Sequence, residues 1–237
     1  MNKNNILKFI QKYSLGELIE SVAWNAEGTK LSVRFISDDK TLLGEVEYNA
    51  YTSTPINVGI YTTSLLKNMI GVLDNDLTLK VDKSGEKSVS LKFVSEETET
   101  SYQLADLGVI PPVPDLKTLP DFGISIDMAS NMIDKFIKAK GALSDVDTFT
   151  IFTEGGDLKM AIGYSSISTN RVTFTAQKNY AETVKPISFS AKYLKEILTA
   201  NKEATNAKLK VSTDGLSNVE FQIDDFVCKY YLVEISN

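Results

Sequence analysis

Hydrophobic positions from Asn2 to Tyr13 recur at Ile6, Phe9, Ile10 and Tyr13, the i, i+3, i+4, i+7 stripe of an amphipathic helix, with Asn5, Lys8, Gln11 and Lys12 opposite. From Val22 the period drops to two. Val22 and Trp24, a turn at Glu27-Gly28, then Leu31, Val33 and Phe35 predict a strand pair. Strand-like sequence continues through Val46, Tyr48 and Val58. The cap candidates Thr62, Thr63 and Ser64 then start a second predicted helix, expected to bury Leu65, Leu66, Met69, Ile70 and Leu73. A hairpin from Leu77 to Val94 around Asp82-Lys83-Ser84-Gly85 and a strand from Ser101 to Leu107 complete this half.

The same order then returns. A strand at Ile124 to Ile126 precedes a predicted helix from Asp127 to about Lys140, followed by strands at Thr148 to Phe152, Leu158 to Gly163, Arg171 to Lys178 and Ile187 to Phe189. A helix capped by Ser190, a hairpin over Leu209 to Ile223 and a last strand from Val227 to Ile235 follow. The halves also share residues. Ile6, Lys8, Phe9, Ile10, Gly28 and Leu31 match Ile133, Lys135, Phe136, Ile137, Gly155 and Leu158 at one constant offset. Leu79, Val81, Gly85, Val89, Leu91 and Phe93 match Leu209, Val211, Gly215, Val219, Phe221 and Ile223 at another. A period this long fits two copies of a domain, not a solenoid. Residues 108–121, GVIPPVPDLKTLPD, hold four of the six prolines and no periodicity, so they read as an extended connector. The expected organisation is domain 1 at 1–107, connector at 108–121 and domain 2 at 122–237. Each domain is α+β, mostly antiparallel strand with two short helices.

Composition narrows the chemistry. The chain has no histidine, which removes Ser-His-Asp and Cys-His nucleophilic sites, histidine bases and the usual zinc sites. It has no GxxxxGK[ST] loop and no GxGxxG. Carboxylates pair at Asp38-Asp39, Asp74/Asp76, Glu96-Glu97 and Asp224-Asp225, in or beside turn signals where they are solvated. Adjacent residues on a strand point to opposite faces, so Asp224-Asp225 would not converge on a substrate. The expectation is a protein without enzymatic activity, cofactor or metal, with a carboxylate hydrolase kept as an alternative. The lone Cys228 fits a reducing compartment. Lys8, Gln11 and Lys12 interrupt the apolar run a signal peptide needs, and no stretch approaches the roughly 20 apolar residues of a membrane span. A cytoplasmic location without a membrane partner is expected.

Charge is unevenly spread. The chain carries −6 overall, yet the four predicted helical segments hold Lys3, Lys8, Lys12, Lys67, Lys135, Lys138, Lys140, Lys192, Lys195 and Lys202 against only Asp127, Asp134, Glu196 and Glu203. Lysine is a good helix former and collects on any exposed helix. However, Lys8 and Lys135 occupy corresponding repeat positions opposite the buried stripe. A basic helical face on an acidic protein is an electrostatic footprint for phosphates. No arginine lies on these helices, so the contacts would be independent of sequence.

Duplicated α+β halves with two helices each, a proline-rich connector and helix lysines resemble the DNA sliding clamps, the family of proliferating cell nuclear antigen and the processivity factors of tailed phages. Lys229-Tyr230-Tyr231-Leu232-Val233 is similar to the family's final strand, Trp24 to Val46 to the segment after its first helix, and Leu107-Gly108-Val109-Ile110-Pro111 to the start of its connector. The resemblance implies a duplicated DNA-clamp fold whose two-domain subunits close head to tail into a homotrimeric ring. Such a ring encircles duplex DNA and tethers the replicative DNA polymerase, and an ATP-dependent clamp loader opens it. It implies a partner-peptide pocket formed by Ile36, Lys40, Leu43, Val109, Ile110, Tyr231 and Val233. It also implies a subunit interface pairing the strand of Ser101, Gln103 and Ala105 with that of Arg171, Thr173 and Thr175 in the next copy. A phage origin would put the protein in the host cytoplasm. A non-enzymatic assembly protein that reuses this fold without encircling DNA stays as the alternative.

Overall fold

The computed structural model describes residues 1–116, 118–165, 167 and 169–235; Lys117 of the predicted connector lies outside them. The chain divides into two compact units that are not contiguous stretches. The first comprises Met1–Ser37, Gly44–Pro114 and Gln222–Cys228; the second comprises Asp38–Leu43, Asp115–Phe221 and the chain from Lys229.

In the first unit, helix α1 (Lys3–Ser14) starts at Asn2, whose side chain accepts from the Asn4 N–H at 2.9 Å. It stops because Leu15, Gly16 and Glu17 all turn to positive φ. Its Ile6, Phe9, Ile10 and Tyr13 stripe is fully buried. Strands β1 (Val22–Glu27), β2 (Lys30–Ile36), β3 (Leu42–Tyr48) and β4 (Ile56–Ile60) are ordered β4-β1-β2-β3. Trp24 pairs with Val33 on one side and Val58 on the other, and lies edge-on to Phe9 at 5.5 Å between centroids. Such aromatic pairs contribute about 0.5–1.5 kcal/mol beyond their buried area. The Trp24 indole N–H donates to the Tyr13 hydroxyl at 3.1 Å, and Tyr13 meets Thr63 Oγ1 at 3.3 Å.

That last contact belongs to helix α2 (Thr63–Gly71), which packs on α1. Thr62 makes no side-chain cap there, contrary to expectation. The cap comes from Glu20, whose carboxylate accepts from the Ser64 N–H at 2.9 Å and its hydroxyl at 3.1 Å. Leu66, Ile70 and Leu73 are buried as expected, but Met69 is half-buried and Leu65 is 51% exposed. The expected core position of Leu65 is therefore corrected: only the Leu66/Ile70 side of the helix meets the sheet. Strands β5 (Thr78–Ser84), β6 (Lys87–Val94) and β7 (Glu99–Gln103) form a second, antiparallel sheet. The predicted strand through Leu107 ends earlier, and Leu107–Val109 is a single 3₁₀ turn capped by Asp106.

The second unit repeats the plan. Strand β8 (Ile124–Ala129) precedes helix α3 (Ser130–Ala142). Asp127 to Ala129 are strand, not helix, because they pair with Asn206 to Lys208. Strands β9 (Thr148–Glu154), β10 (Asp157–Ile162), β11 (Val172–Gln177) and β12 (Ile187–Ser190) are ordered β11-β10-β9-β12. Helix α4 (Ala191–Ala200) is capped by Ser190, as expected: its Oγ accepts from the Tyr193 N–H at 3.2 Å. Strands β13 (Asn206–Ser212), β14 (Leu216–Ile223) and β15 (Phe226–Val233) run in the order β15-β14-β13-β8. Helix α3 packs on α4, and Phe136 sits edge-on to Phe149 at 5.6 Å in the core. Strands β3 and β15 each begin in one unit and end in the other. In the first unit Tyr48 stacks on Phe226 at 4.9 Å; in the second the Val233 N–H donates to the Thr41 carbonyl at 2.9 Å.

Candidate nucleic-acid interface and partner surfaces

The ten predicted phosphate-facing lysines separate by surroundings. Lys8 on α1, Lys135 and Lys138 on α3, Lys192 on α4 and Lys202 just beyond it are exposed and make no ion pair among the described residues. Lys67 on α2 is half-buried. The other four are engaged. Lys12 is 1% exposed, with its ammonium 5.4 Å from the centroid of the Phe226 ring, a cation–π contact. Lys140 is 7% exposed and donates to the Ser144 carbonyl at 2.7 Å, satisfying backbone beyond the end of α3. Lys3 donates to the Leu73 carbonyl beyond α2. Lys195 pairs with Glu196 at 3.0 Å. For Lys12 and Lys140 the expectation of a phosphate contact is corrected, because their ammonium groups are engaged inside the protein.

Acid is sparse on these helices: α3 carries the exposed Asp134 and α4 carries Glu196. No acid lies on α1 or α2, and Asp127, counted with the third helix, faces Lys208 across β8 and β13 at 3.8 Å. The arrangement can hold a polyanion by point charges on helices, without the planar forks that read bases.

Each unit also has an open strand edge. In the first, among the described residues β7 pairs only with β6; Ser101 and Gln103 are exposed, and Ala105 makes a single bridge to Gly59. Tyr102 between them is buried and accepts from the Thr62 N–H at 3.0 Å, tying β7 to α2. In the second, among the described residues β11 pairs only with β10, leaving Thr173 and Thr175 exposed, with exposed Arg171 just ahead. Beside β11 a groove of about 640 Å³ runs along α3, lined by Met132, Ala139, Ala142 and Phe174, with Lys135 and Lys138 on its rim. The sequence reading missed the surface that adjoins β7. Tyr61 just before α2, Leu65 on it and Val72 at its C-cap are exposed, the last at 68%. The available signal was three large apolar residues left outside the Leu66/Ile70 stripe.

The predicted peptide-pocket residues fall in both units. In the second, Leu43 and Tyr231 are nearly buried, Val233 is half-exposed and Lys40 sits at positive φ on an exposed turn. In the first, Ile36 is half-buried, Val109 is 59% exposed, and Ile110 packs against Gly59, where a Cβ would come within 3.2 Å of its side chain. Ile110 and Pro111–Val113 roof a hollow of about 410 Å³ over Ala23, Asn25, Ser32 and Arg34. The Arg34 guanidinium ties the connector down by donating to the Pro114 carbonyl at 2.7 Å. At the connector's start, the hydrogen bond from Lys87 at 2.7 Å, helped by the Gly108 N–H, holds the Asp106 carboxyl below the usual range.

Among the described residues no helix is long and apolar enough to cross a membrane, and no cluster of acids or cysteine could hold a metal ion. No protein-family model matches the chain, and no curated protein sequence matches it. The architecture does match. The chain superposes on the crystal structure of proliferating cellular nuclear antigen from Entamoeba histolytica with a TM-score of 0.73 at 19% identity, covering 99% of this chain and 96% of that one. The fold is that of proliferating cell nuclear antigen.

Proposed function

We propose that this protein is a DNA sliding clamp: three copies close head to tail around duplex DNA and tether the replicative polymerase for processive synthesis. The observation that carries this reading is a clamp fold matched along the whole chain, whose exposed helix lysines lack acid partners while the rest of the protein is acidic. Point charges aimed at phosphates give binding that is sequence-independent and weakened by salt. A ring needs no tighter grip, since retention is topological. With no phosphate-binding loop of its own, the protein would depend on a separate ATP-driven loader to open.

Ring closure would pair the open edge of β7 with the β11 edge of the next copy, a heterologous contact that closes without a twofold axis. The exposed apolar side chains of Tyr61, Leu65 and Val72 would fill the α3/β11 groove around Met132 and Phe174. Partner proteins would dock an apolar peptide on the connector at Val109, which is 59% exposed, and Ile110. The test is retention on nicked circular DNA, loaded with the cognate loader, before and after a single linearising cut. A clamp stays on the circle and runs off the line. Equal retention on both forms would support the alternative, an assembly protein that uses the fold without encircling DNA.

A further inference from the structure

Strands β4 and β5 are each the last strand of their sheet, and their free edges line one cavity of about 400 Å³ in the first unit. Backbone parity fixes which groups face it. The Ala105 N–H donates to the Gly59 carbonyl at 3.0 Å, on the side of β4 away from β1, so Asn57, two residues earlier, turns its N–H and C=O the same way. On β5, Leu77 exchanges bonds with Met1, and the Leu79 carbonyl accepts from Ser53 Oγ at 3.4 Å. Val81 and Lys83 follow at that parity. Nothing among the described residues pairs with Asn57, Val81 or Lys83 on this side. The slot is lined from Thr54 to Asn57 on one side and by Leu79, Val81 and Lys83 on the other, and along it both strands offer unused backbone donors and acceptors.

The side chains say what would fill it. Ile56 and Leu79, both nearly buried, line the slot together with the half-buried Val81. Its rim carries Lys80 and Lys83, and no acid lines it. Of the four lysines on this hairpin, Lys87 and Lys92 are paired with Asp106 and Asp82 at 2.7 and 3.1 Å. Lys80 and Lys83 are exposed and make no ion pair among the described residues. We propose that this slot binds an extended peptide strand with alternating apolar and acidic residues, which pairs with the backbone of Val81 and Asn57 and sets its carboxylates against Lys80, while Lys83, three residues on and so on the opposite face of β5, adds positive charge near the hairpin turn. Backbone pairing would supply affinity and the lysines would supply selection for acid. The slot shares Asn57 with the hollow beneath the connector and does not require the ring.

The probe is a fluorescein-labelled Val-Glu-Val-Glu-Val-Glu peptide, with Val-Lys-Val-Lys-Val-Lys as its control, titrated into the full chain by anisotropy. The acidic peptide should bind at least about tenfold tighter than the basic one. The double change Lys80→Glu and Lys83→Glu, at exposed positions that leave folding intact, should reverse that preference. Bound peptide should slow hydrogen exchange over 54–60 and 78–84. Val81→Pro removes one outward N–H on an edge strand, where proline is tolerated, and should weaken the acidic peptide alone. Equal affinity for both peptides, affinity unchanged by the lysine reversals, or full affinity in Val81→Pro would overturn the proposal. So would exchange protection of these strands that appears with protein concentration alone, which would make a second copy the occupant.

Discussion

Trp24 ends its indole N–H on the Tyr13 hydroxyl, and that hydroxyl in turn meets Thr63, so one buried polar chain joins β1, α1 and α2. Burial pushes the Tyr13 phenol well above its usual pKa, outweighing the opposing hydrogen bonds with Thr63 and Trp24. Tyr13→Phe leaves the indole N–H unsatisfied and should cost about 1–3 kcal/mol in urea denaturation. The lysines divide on the same principle of where a polar group finds its partner. Lys12→Ala and Lys140→Ala should lower the melting temperature with the salt dependence of DNA binding unchanged. Lys8→Ala, Lys135→Ala and Lys192→Ala should leave melting unchanged, and each phosphate neutralisation so removed should flatten the slope of log K against log salt by about 0.9. A flat response to those three would retire the helical face as the DNA surface. Sequence reading identified these helices as basic but could not tell the two groups of lysines apart. Lys12 is withdrawn by Phe226, a partner fixed by tertiary packing, and Lys140 by the Ser144 carbonyl four residues on, in the turn where α3 has already ended.

Elements were legible where one period dominated. The α1 stripe and the β1–β2 alternation fold as read, and Ser190 caps α4 as read. The reading failed where a residue had two roles open to it. Asp127 resembles an N-cap, but the burial alternation of Ile124, Ile126 and Met128 carries the strand through it. Glu20 caps α2 from 44 residues away in sequence, which no local pattern reveals. Close approach also shaped the sheet: Gly44 lies on Phe35 so tightly that a Cβ there would overlap the ring. Gly44→Ala should therefore cost about 1–3 kcal/mol through overpacking, measured by denaturation. In the β5–β6–β7 sheet, the hydrogen bond from Lys92, then that from Ser90, holds the Asp82 carboxyl below its ordinary value, and Asp82 raises Lys92 in return. The Asp82 contribution is present above the unfolded carboxylate pKa near 3.9 and is lost as pH falls through the lowered value. Hydrogen exchange in this sheet should accelerate below about pH 4, and Asp82→Asn should remove that acid limb.

At the scale of the whole molecule, duplication was visible in two constant offsets, while the exchange of 38–43 and 222–228 between the units was not, because it depends on strand partners far apart in the chain. The same holds for the surfaces that would build the ring. The edges of β7 and β11 follow from strand order, but the exposure of Tyr61, Leu65 and Val72 emerges only once α2 is docked. Leu65→Glu and Phe174→Glu, one on each side of the proposed contact, should each give monomers without unfolding either unit. The central claim is a closed ring, and native mass by light scattering over a dilution series tests it most directly. The account predicts a mass about three times the 26.2 kDa of one chain, constant across the series. A mass of 26.2 kDa at every concentration would contradict it.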